Sequence, residues 1–391
     1  MSSNEKPVPM IDAYTDMLKY AARLHCHGWP ADDGPVNEYE GVRQVLRLAA
    51  AGILCFVESN PDYPELVKQQ TLSRQIQLPS PDAVYHYARL HGKHSYRIRG
   101  NRGSAFIFQI TSWSGSCSNF TKDYTLVGKI DNHVETQLAP DTEVDIVLGS
   151  EPQGETWLKL PQGECEIYLR QYYADWDREK PAMLTIERIG ATYPPPPVTR
   201  DQMEERMAML NSWLRVQSEF YKLSVQRHLD ADRDSVPIMS IPEAFQDVIY
   251  SNGAYRCGEG EAVIMELTPP NCLYWNFQIA NLQWEPMEYH QRQTSINCHQ
   301  AVLDDDGVLR VVISHRDPGV PNWFDTNGRK LGLIAGRYFK SGSAPVATLK
   351  RVPFADLQNH LKTSRRVTPA QRQALLKRRQ ASVFARLAGD Q

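Results

Sequence analysis

Residues 83–111 read AVYHYARLHGKHSYRIRGNRGSAFIFQIT, and the period within them decides the fold class. Aromatic and β-branched residues come in short runs, Ala83 to Leu90, Ser95 to Arg99 and Ser104 to Thr111. Asn101-Arg102-Gly103 reads as the turn between the last two runs. Runs of the same kind recur at Val144 to Leu148, Trp157 to Leu160, Glu166 to Tyr173 and Met183 to Arg188. Beyond Pro242 they return at Ala262 to Leu267, Leu273 to Ile279, Val308 to Ser314 and Leu331 to Phe339. Short strands at regular spacing with turn residues between them indicate a β-sandwich or open barrel. Asp304-Asp305-Asp306-Gly307 carries the chemistry of a tight hairpin turn.

Outside these runs the period becomes helical. Ile11, Tyr14, Leu18 and Ala21 share one face, as do Val42, Val45, Leu46, Ala49, Ile53 and Phe56. HGWPADDGP, residues 27–35, is the expected loop between them. Pro194 to Pro197 form a stiff linker, and Thr199 with Gln202 has capping-box spacing. One stripe of Met203, Met207, Leu210, Leu214, Tyr221 and Val225 follows, with a second of Trp213, Val216, Phe220 and Leu223. Together they predict a helix apolar on a wide face and sandwiched between layers. Thr368-Pro369 opens a last helix through Leu376, Val383 and Leu387. The expectation is an α+β, β-rich chain. Two β-sandwich or jelly-roll-like units, 79–193 and 236–345, are joined by a linker and helix at 194–235. A helical segment, 1–78, precedes them and a basic helical tail, 346–391, follows.

Composition excludes several classes. With 41% hydrophobic and 23% charged residues the chain is an ordinary globular protein. No run approaches the roughly 18 apolar residues of a membrane span. MSSNEKPVPM lacks the apolar region of a signal peptide. Seven cysteines without a C-x-x-C pair argue against a disulfide framework. The expected compartment is the cytoplasm. Between Lys350 and Ala388 ten basic residues face one acid, Asp356; the segment is +9 against −12 elsewhere, for a net −3. Such a tail can bind nucleic acid or anionic lipid. No nucleic-acid motif accompanies it, so the favoured expectation is that it folds onto its own acidic body.

HRDPGVPNWFD, His315 to Asp325, has the kinase catalytic-loop spacing of Asp317 to Asn322. The glycine-rich loop, strand lysine and D-F-G that a kinase requires are missing. His25-Cys26-His27 diverge by about 100° per residue on a helix and cannot share one metal. His86, His91 and His94 read as a polar strand face. SWSGSCSNF, around Ser116 and Cys117, lacks the first glycine of a nucleophile elbow. Tyr274, Asn276 and Gln278 alternate with Trp275 and Phe277 along one strand, and Ser295, Asn297 and His299 alternate along another. Arg170 stands before Asp175, Trp176, Asp177 and Glu179, where it can pair a carboxylate.

SPDAVYHYARL, YLRQYYADWDREKPAMLTIERI, LYWNFQIANLQWEP, TSINCHQAVLDDDGVLRVVISHRDPGVPNWFDTNG and TPAQRQALLKRRQASVF together resemble the bacterial family known as domain of unknown function 1214. Its sister is domain 1254. The resemblance runs from about Ser80 to Phe384 and implies a β-sandwich or jelly roll with attached helices. Ser80 stands where such proteins tend to carry asparagine. It implies no reaction.

The residues themselves suggest a metal-independent enzyme of hydrolase or lyase type. It would act on a small apolar or aromatic molecule in a pocket between the two β units. No cofactor or metal site is expected. His315 is the candidate acid–base group, because its ordinary pKa lies near neutrality. Asp317 would orient it and Arg316 would clamp an anionic group. Asp82, Tyr85, Arg170, Tyr274, Trp275, Gln278, Ser295, Asn297, Asn322 and Trp323 are the candidate ligand contacts. The alternative is a non-catalytic accessory protein that recognises a sugar or planar ligand through Trp and Tyr. The partners expected are a small molecule and further copies of the chain, with no specific nucleic acid.

Overall fold

A computed structural model describes residues 8–30, 35–119, 123–134, 137–230, 234–239, 247–361 and 364–388. Part of the loop expected at 27–35 and both chain ends lie outside the described residues. Among the described residues, eighteen strands are distributed over four sheets, two per unit. The first unit's inner sheet runs Val67–Lys68, Ala83–His91, Glu164–Tyr172, Ile107–Ser114, Leu126–Asp131 in space, all antiparallel. Its outer sheet runs Trp157–Lys159, Glu143–Gly149, Tyr96–Asn101, Met183–Arg188. The second unit's inner sheet is Val248–Arg256, Leu331–Phe339, Tyr274–Ala280, Ser295–Asn297. Its outer sheet is Ser235–Val236, Ala347–Pro353, Glu261–Leu267, Leu309–Ser314, Trp323–Asp325.

Alternation along each strand fills two sandwich cores. Cys165, Ile167 and Leu169 pack with Ile98 and Ile146 in the first. Trp275, Phe277, Ile279 and Ile334 pack with Val263, Met265, Val311 and Ile313 in the second. The opposite faces of the two inner sheets meet each other, where Tyr172 lies 4.7 Å from Phe339 and 6.0 Å from Tyr274 between ring centroids. The molecule is therefore layered, outer–inner–inner–outer. Its middle interface contains polar side chains that strand alternation drives inward.

Several details depart from the sequence expectations. Asn101 to Gly103 does not close a hairpin, because Tyr96–Asn101 and Ile107–Ser114 belong to different sheets. The left-handed Gly103, φ 67°, carries the chain from one sheet to the other. The Asp304–Gly307 turn forms, but the strand it precedes pairs with Glu261–Leu267 and, in parallel, with Trp323–Asp325. The turn's carboxylates serve Arg310, with Asp304 at 2.9 Å and Asp306 at 2.8 Å. The second unit extends beyond 345, because Ala347–Pro353 is a strand of its outer sheet. Leu126–Asp131 and Val248–Arg256 are strands with weak alternation that the periodicity does not reveal.

The connecting helix, Arg200–Leu229, has its reciprocal Thr199–Gln202 cap. It buries Met207, Leu210, Trp213, Leu214, Tyr221 and Val225, but Phe220 and Leu223 are exposed. Its buried residues pack both against the helical hairpin of Pro9–Cys26 and Pro35–Gly52 and against Leu331, Leu333 and Ala335 of the β body. Within that packing His25 is 1% exposed and its Nδ1 lies 2.7 Å from Gln283 Oε1. Burial lowers its pKa to about 4, and nearby Lys222 adds to the effect. The folded state thus favours the neutral ring. The associated stability is present above about pH 6.5 and is lost as pH falls from there toward 4. The loss amounts to roughly 3 kcal/mol. Thermal denaturation between pH 7 and 4 should show a shallower acid decline for His25→Asn, which keeps a donor toward Gln283 but does not titrate. Parallel declines would refute the assignment.

The C-terminal helix, Pro369–Leu387, lies across both units. Arg372, Arg379 and Arg386 are seven residues apart, share one face and are buried. Arg372 Nε bonds Asp317 Oδ2 at 2.9 Å. Arg379 and Arg386 stack on Trp176 at 4.5 and 4.2 Å. Three of the tail's basic residues are thus spent on the body of the protein.

Candidate functional site

Where the two inner sheets face each other they enclose a cavity of about 170 Å³. Pockets for drug-sized ligands span roughly 300–1,000 Å³, so this one suits a small molecule. The strand Glu164–Tyr172 places Glu166, Tyr168, Arg170 and Tyr172 on its inward face. Tyr85 sits beside Arg170 on the neighbouring strand, and Thr111 beside Tyr168 on the other side. The second unit contributes Arg337 and Tyr250, paired in register. Residues 69–79 cross the remaining side, with Gln77 and Leu78 at φ 53° and 54°. Side-chain-bearing residues rarely adopt that conformation. Here it is held by the Gln77 N–H donating to Tyr221 Oη and by Leu78 N–H donating to Trp284 O at 3.1 Å.

The charge balance of this cavity is unusual. Arg337 is 5% exposed; its Nη2 donates to Leu78 O at 2.6 Å, and its Nη1 makes no hydrogen bond of standard geometry. Arg170 Nη1 donates to Thr111 Oγ1 at 2.9 Å, and the guanidinium lies 5.1 Å from the centre of the Tyr168 ring. Among the described residues neither arginine has a carboxylate within ion-pair distance. Around them stand phenols: Tyr85 Oη lies 3.4 Å from Tyr172 Oη, and the Tyr250 ring centre lies 5.7 Å from Arg337. Burial pushes the Tyr172 phenol well above its ordinary range and raises that of Tyr250. Both are therefore neutral hydrogen-bond donors. Two guanidiniums and several phenols line one small space, and no carboxylate is among its described lining residues.

Of the candidate residues, the fold brings Tyr85 and Arg170 to this cavity. Asp82 lies beside it, fully buried, and accepts hydrogen bonds from Trp176 Nε1 (2.8 Å), Asn276 Nδ2 (2.6 Å) and Asn297 Nδ2 (2.9 Å). Ser80 Oγ accepts from Asn276 at 2.7 Å, so Ser80 serves this same junction. Tyr274 is buried against Tyr172 and Phe339. Ser295 Oγ accepts from Arg379 at 2.9 Å. Gln278 is buried with neither amide atom hydrogen-bonded, and Trp275 belongs to the second sandwich core.

HRDPGVPNWFD lies elsewhere and is occupied by structural contacts. His315 is fixed by Cys257 O at 2.8 Å and Thr326 Oγ1 at 2.9 Å. Arg316 is exposed and lies 4.3 Å from the Phe354 ring centre. Asp317 accepts from Arg372. Asn322 caps Val302 N at 3.0 Å and donates to Val302 O and Arg310 O, while Trp323 Nε1 donates to Ser314 O at 3.3 Å. None of the five lines the cavity. The segment is the corner on which the C-terminal helix seats. A larger groove of about 540 Å³ runs beneath that helix. Its buried Arg372 and Arg379 already hold Asp317 and Ser295. Among the described residues no three His, Cys, Asp or Glu side chains converge as metal ligands would.

Cys117 lines the cavity, but burial and the nearby Glu166 push its thiol well above its ordinary range, so it is no thiolate nucleophile. The arginine that sequence reading missed is Arg337. Its signal is one charged residue in LGLIAGRYF, a strand buried along its whole length.

Most of the architecture recurs in a crystal structure of an uncharacterised protein from Burkholderia cenocepacia. That protein is 25% identical, with TM-score 0.81 over 88% of this chain and 97% of that one. A Vibrio parahaemolyticus protein aligns over 86% of this chain and 99% of its own, at 10% identity and TM-score 0.48. No curated protein matches the chain. The family model that does match is the one described as Protein of unknown function (DUF1214), over residues 85–175, the part of the first β unit that brings Tyr85 and Arg170 to the cavity.

Proposed function

We propose that the cavity between the two β units binds a small organic anion, with the charged group at Arg337 and Arg170 and an aromatic or apolar body against the tyrosines. One observation carries this reading. Among the described residues buried Arg337 has no carboxylate counter-ion, and its Nη1 makes no hydrogen bond of standard geometry beside the neutral phenols. Burying an unpaired guanidinium is costly, and a bound carboxylate would supply both the missing charge and the missing acceptor. The reading retains the small-molecule pocket between the units and moves its chemistry away from His315, Arg316 and Asp317. Trp275 and Trp323, expected as pocket walls, are instead packed into the body of the fold.

Calorimetric titration with benzoate, benzamide and benzylamine tests it. Charge-assisted hydrogen bonds contribute about 1.5–3 kcal/mol each, so benzoate should bind one per chain and roughly tenfold or more above benzamide. Benzylamine should not bind. Equal affinity for benzoate and benzamide, or no benzoate binding, would overturn the proposal.

A further inference from the structure

We infer that Glu166 is the general acid–base group of this cavity, exchanging a proton through the phenol of Tyr168 with a 2-oxo acid whose carboxylate is held by the arginines. The inference rests on the anion-site reading above and gives that site a reaction, proton abstraction from the carbon next to a carbonyl.

The geometry that carries it is a continuous hydrogen-bonded path. Glu166 is fully buried and, among the described residues, has no lysine or arginine within ion-pair distance. Its Oε1 accepts from Tyr87 Oη, Ser116 Oγ and Cys117 N, each at 2.9 Å. Its Oε2 accepts from Tyr124 Oη and Tyr168 Oη, each at 3.3 Å, and the two phenols are 3.2 Å apart. Tyr124 and Tyr168 also line the cavity, and Arg170 stands over the Tyr168 ring. Tyr168 therefore touches the carboxyl group on one side and the arginine anchor on the other.

The charged and titratable neighbours are accounted for. Arg89 lies across the strand pair from Glu166, but its guanidinium is engaged by Glu164 at 3.0 Å and Glu205 at 3.2 Å. Tyr87, Tyr124, Tyr168 and the thiols of Cys55 and Cys117 are all held protonated by burial. Burial also raises the carboxyl pKa of Glu166, against the opposing effect of its hydrogen-bond donors. Glu166 is thus the one carboxyl group of this cluster, and burial shifts it in the direction that suits an acid–base residue. A purely structural hub of five neutral donors does not require a charge, and an uncompensated buried carboxylate is an expensive way to make one.

The step balances. The C–H bond beside the ligand's carbonyl breaks and its electron pair moves onto the carbonyl oxygen. The released proton goes to Tyr168 Oη as the Tyr168 proton passes to Glu166 Oε2. Phenol and guanidinium N–H groups around Arg337 are positioned to stabilise an enolate oxygen. Return of the proton from the solvent-equilibrated carboxyl group restores the keto form, so in D2O the ligand acquires deuterium.

Phenylpyruvate is the probe. Its binding is measured by calorimetry, and its C3 deuterium incorporation by NMR above the buffer rate. The wild-type protein should bind it and accelerate exchange. Glu166→Gln should bind it within about threefold but lose roughly 10²–10⁴ in exchange rate, the usual contribution of a general acid–base group. Tyr168→Phe, which removes one hydroxyl, should lose at least about tenfold with binding kept; it decides the matter if Glu166→Gln fails to fold. Binding without exchange, or exchange unchanged in these variants, overturns the role of Glu166 and leaves the anion site standing. Absence of binding by the wild type overturns both.

Discussion

Asp82→Ala should destabilise the protein by roughly 3–5 kcal/mol in urea or guanidinium unfolding, the usual cost of leaving buried charges uncompensated. Asp82 is fully buried at the junction of three parts of the chain. Trp176 of the first unit and Asn276 and Asn297 of the second donate to its two oxygens at 2.6–2.9 Å. Arg386 of the C-terminal helix reaches Pro81 O at 3.3 Å. Burial lowers the Arg379 pKa to about 10 and also lowers that of Arg386; in both, the Asp82 charge is the largest opposing influence. Without Asp82 the helix would hold two buried guanidiniums deprived of the charge that opposes their desolvation, and Trp176 Nε1 would lose its acceptor, while Asn276 and Asn297 would keep only Ser80 Oγ and the carbonyls of Tyr173 and Ala174. Asp82→Asn keeps the shape and one acceptor, so it should fall between alanine and wild type. If Asp82→Ala unfolds like wild type, the junction does not depend on its charge.

The strands are legible because each buries one face, and alternation survives in residues such as Cys165, Ile167 and Leu169. Their partners are not legible. Nothing between Asn101 and Gly103 distinguishes a hairpin turn from a crossing between sheets, because both require the same left-handed glycine. Polar residues at 166 and 337 carry no local signal that they face inward. They face inward because the two inner sheets cover each other, a long-range fact with no local period. HRDPGVPNWFD misleads for the opposite reason. Its His, Asp and Asn are as dense as a catalytic loop, but a corner that seats a helix also needs side chains to satisfy irregular backbone. Asp82 is visible because it stands between Pro81 and an apolar strand with no other carboxylate nearby.

Arg337→Met should move affinity and stability in opposite directions, which separates a binding residue from a structural one. Arg337 contributes one hydrogen bond to the fold, to Leu78 O, and otherwise places an unpaired charge among tyrosines. Methionine fills much of the same volume without that charge. Replacing buried charge with an apolar side chain of similar size is often neutral or stabilising by about 1–4 kcal/mol. The missing bond to Leu78 offsets about 1 kcal/mol of this. The expected net effect is unchanged or higher stability, by about 0–3 kcal/mol. Benzoate affinity should nevertheless fall by roughly 30–100-fold, the effect of removing one charge-assisted hydrogen bond from a water-poor site. Arg170→Met should weaken benzoate less, by about tenfold, because Arg170 is half-buried and solvent screens it. Arg337→Lys keeps the charge but loses the fork, and should fall between wild type and methionine. A large loss of stability in Arg337→Met with affinity retained would place Arg337 in the scaffold, held there for Leu78. Loss of affinity without loss of stability is what a side chain kept for its ligand should show, since the folded protein alone gains only the bond to Leu78 O from burying it.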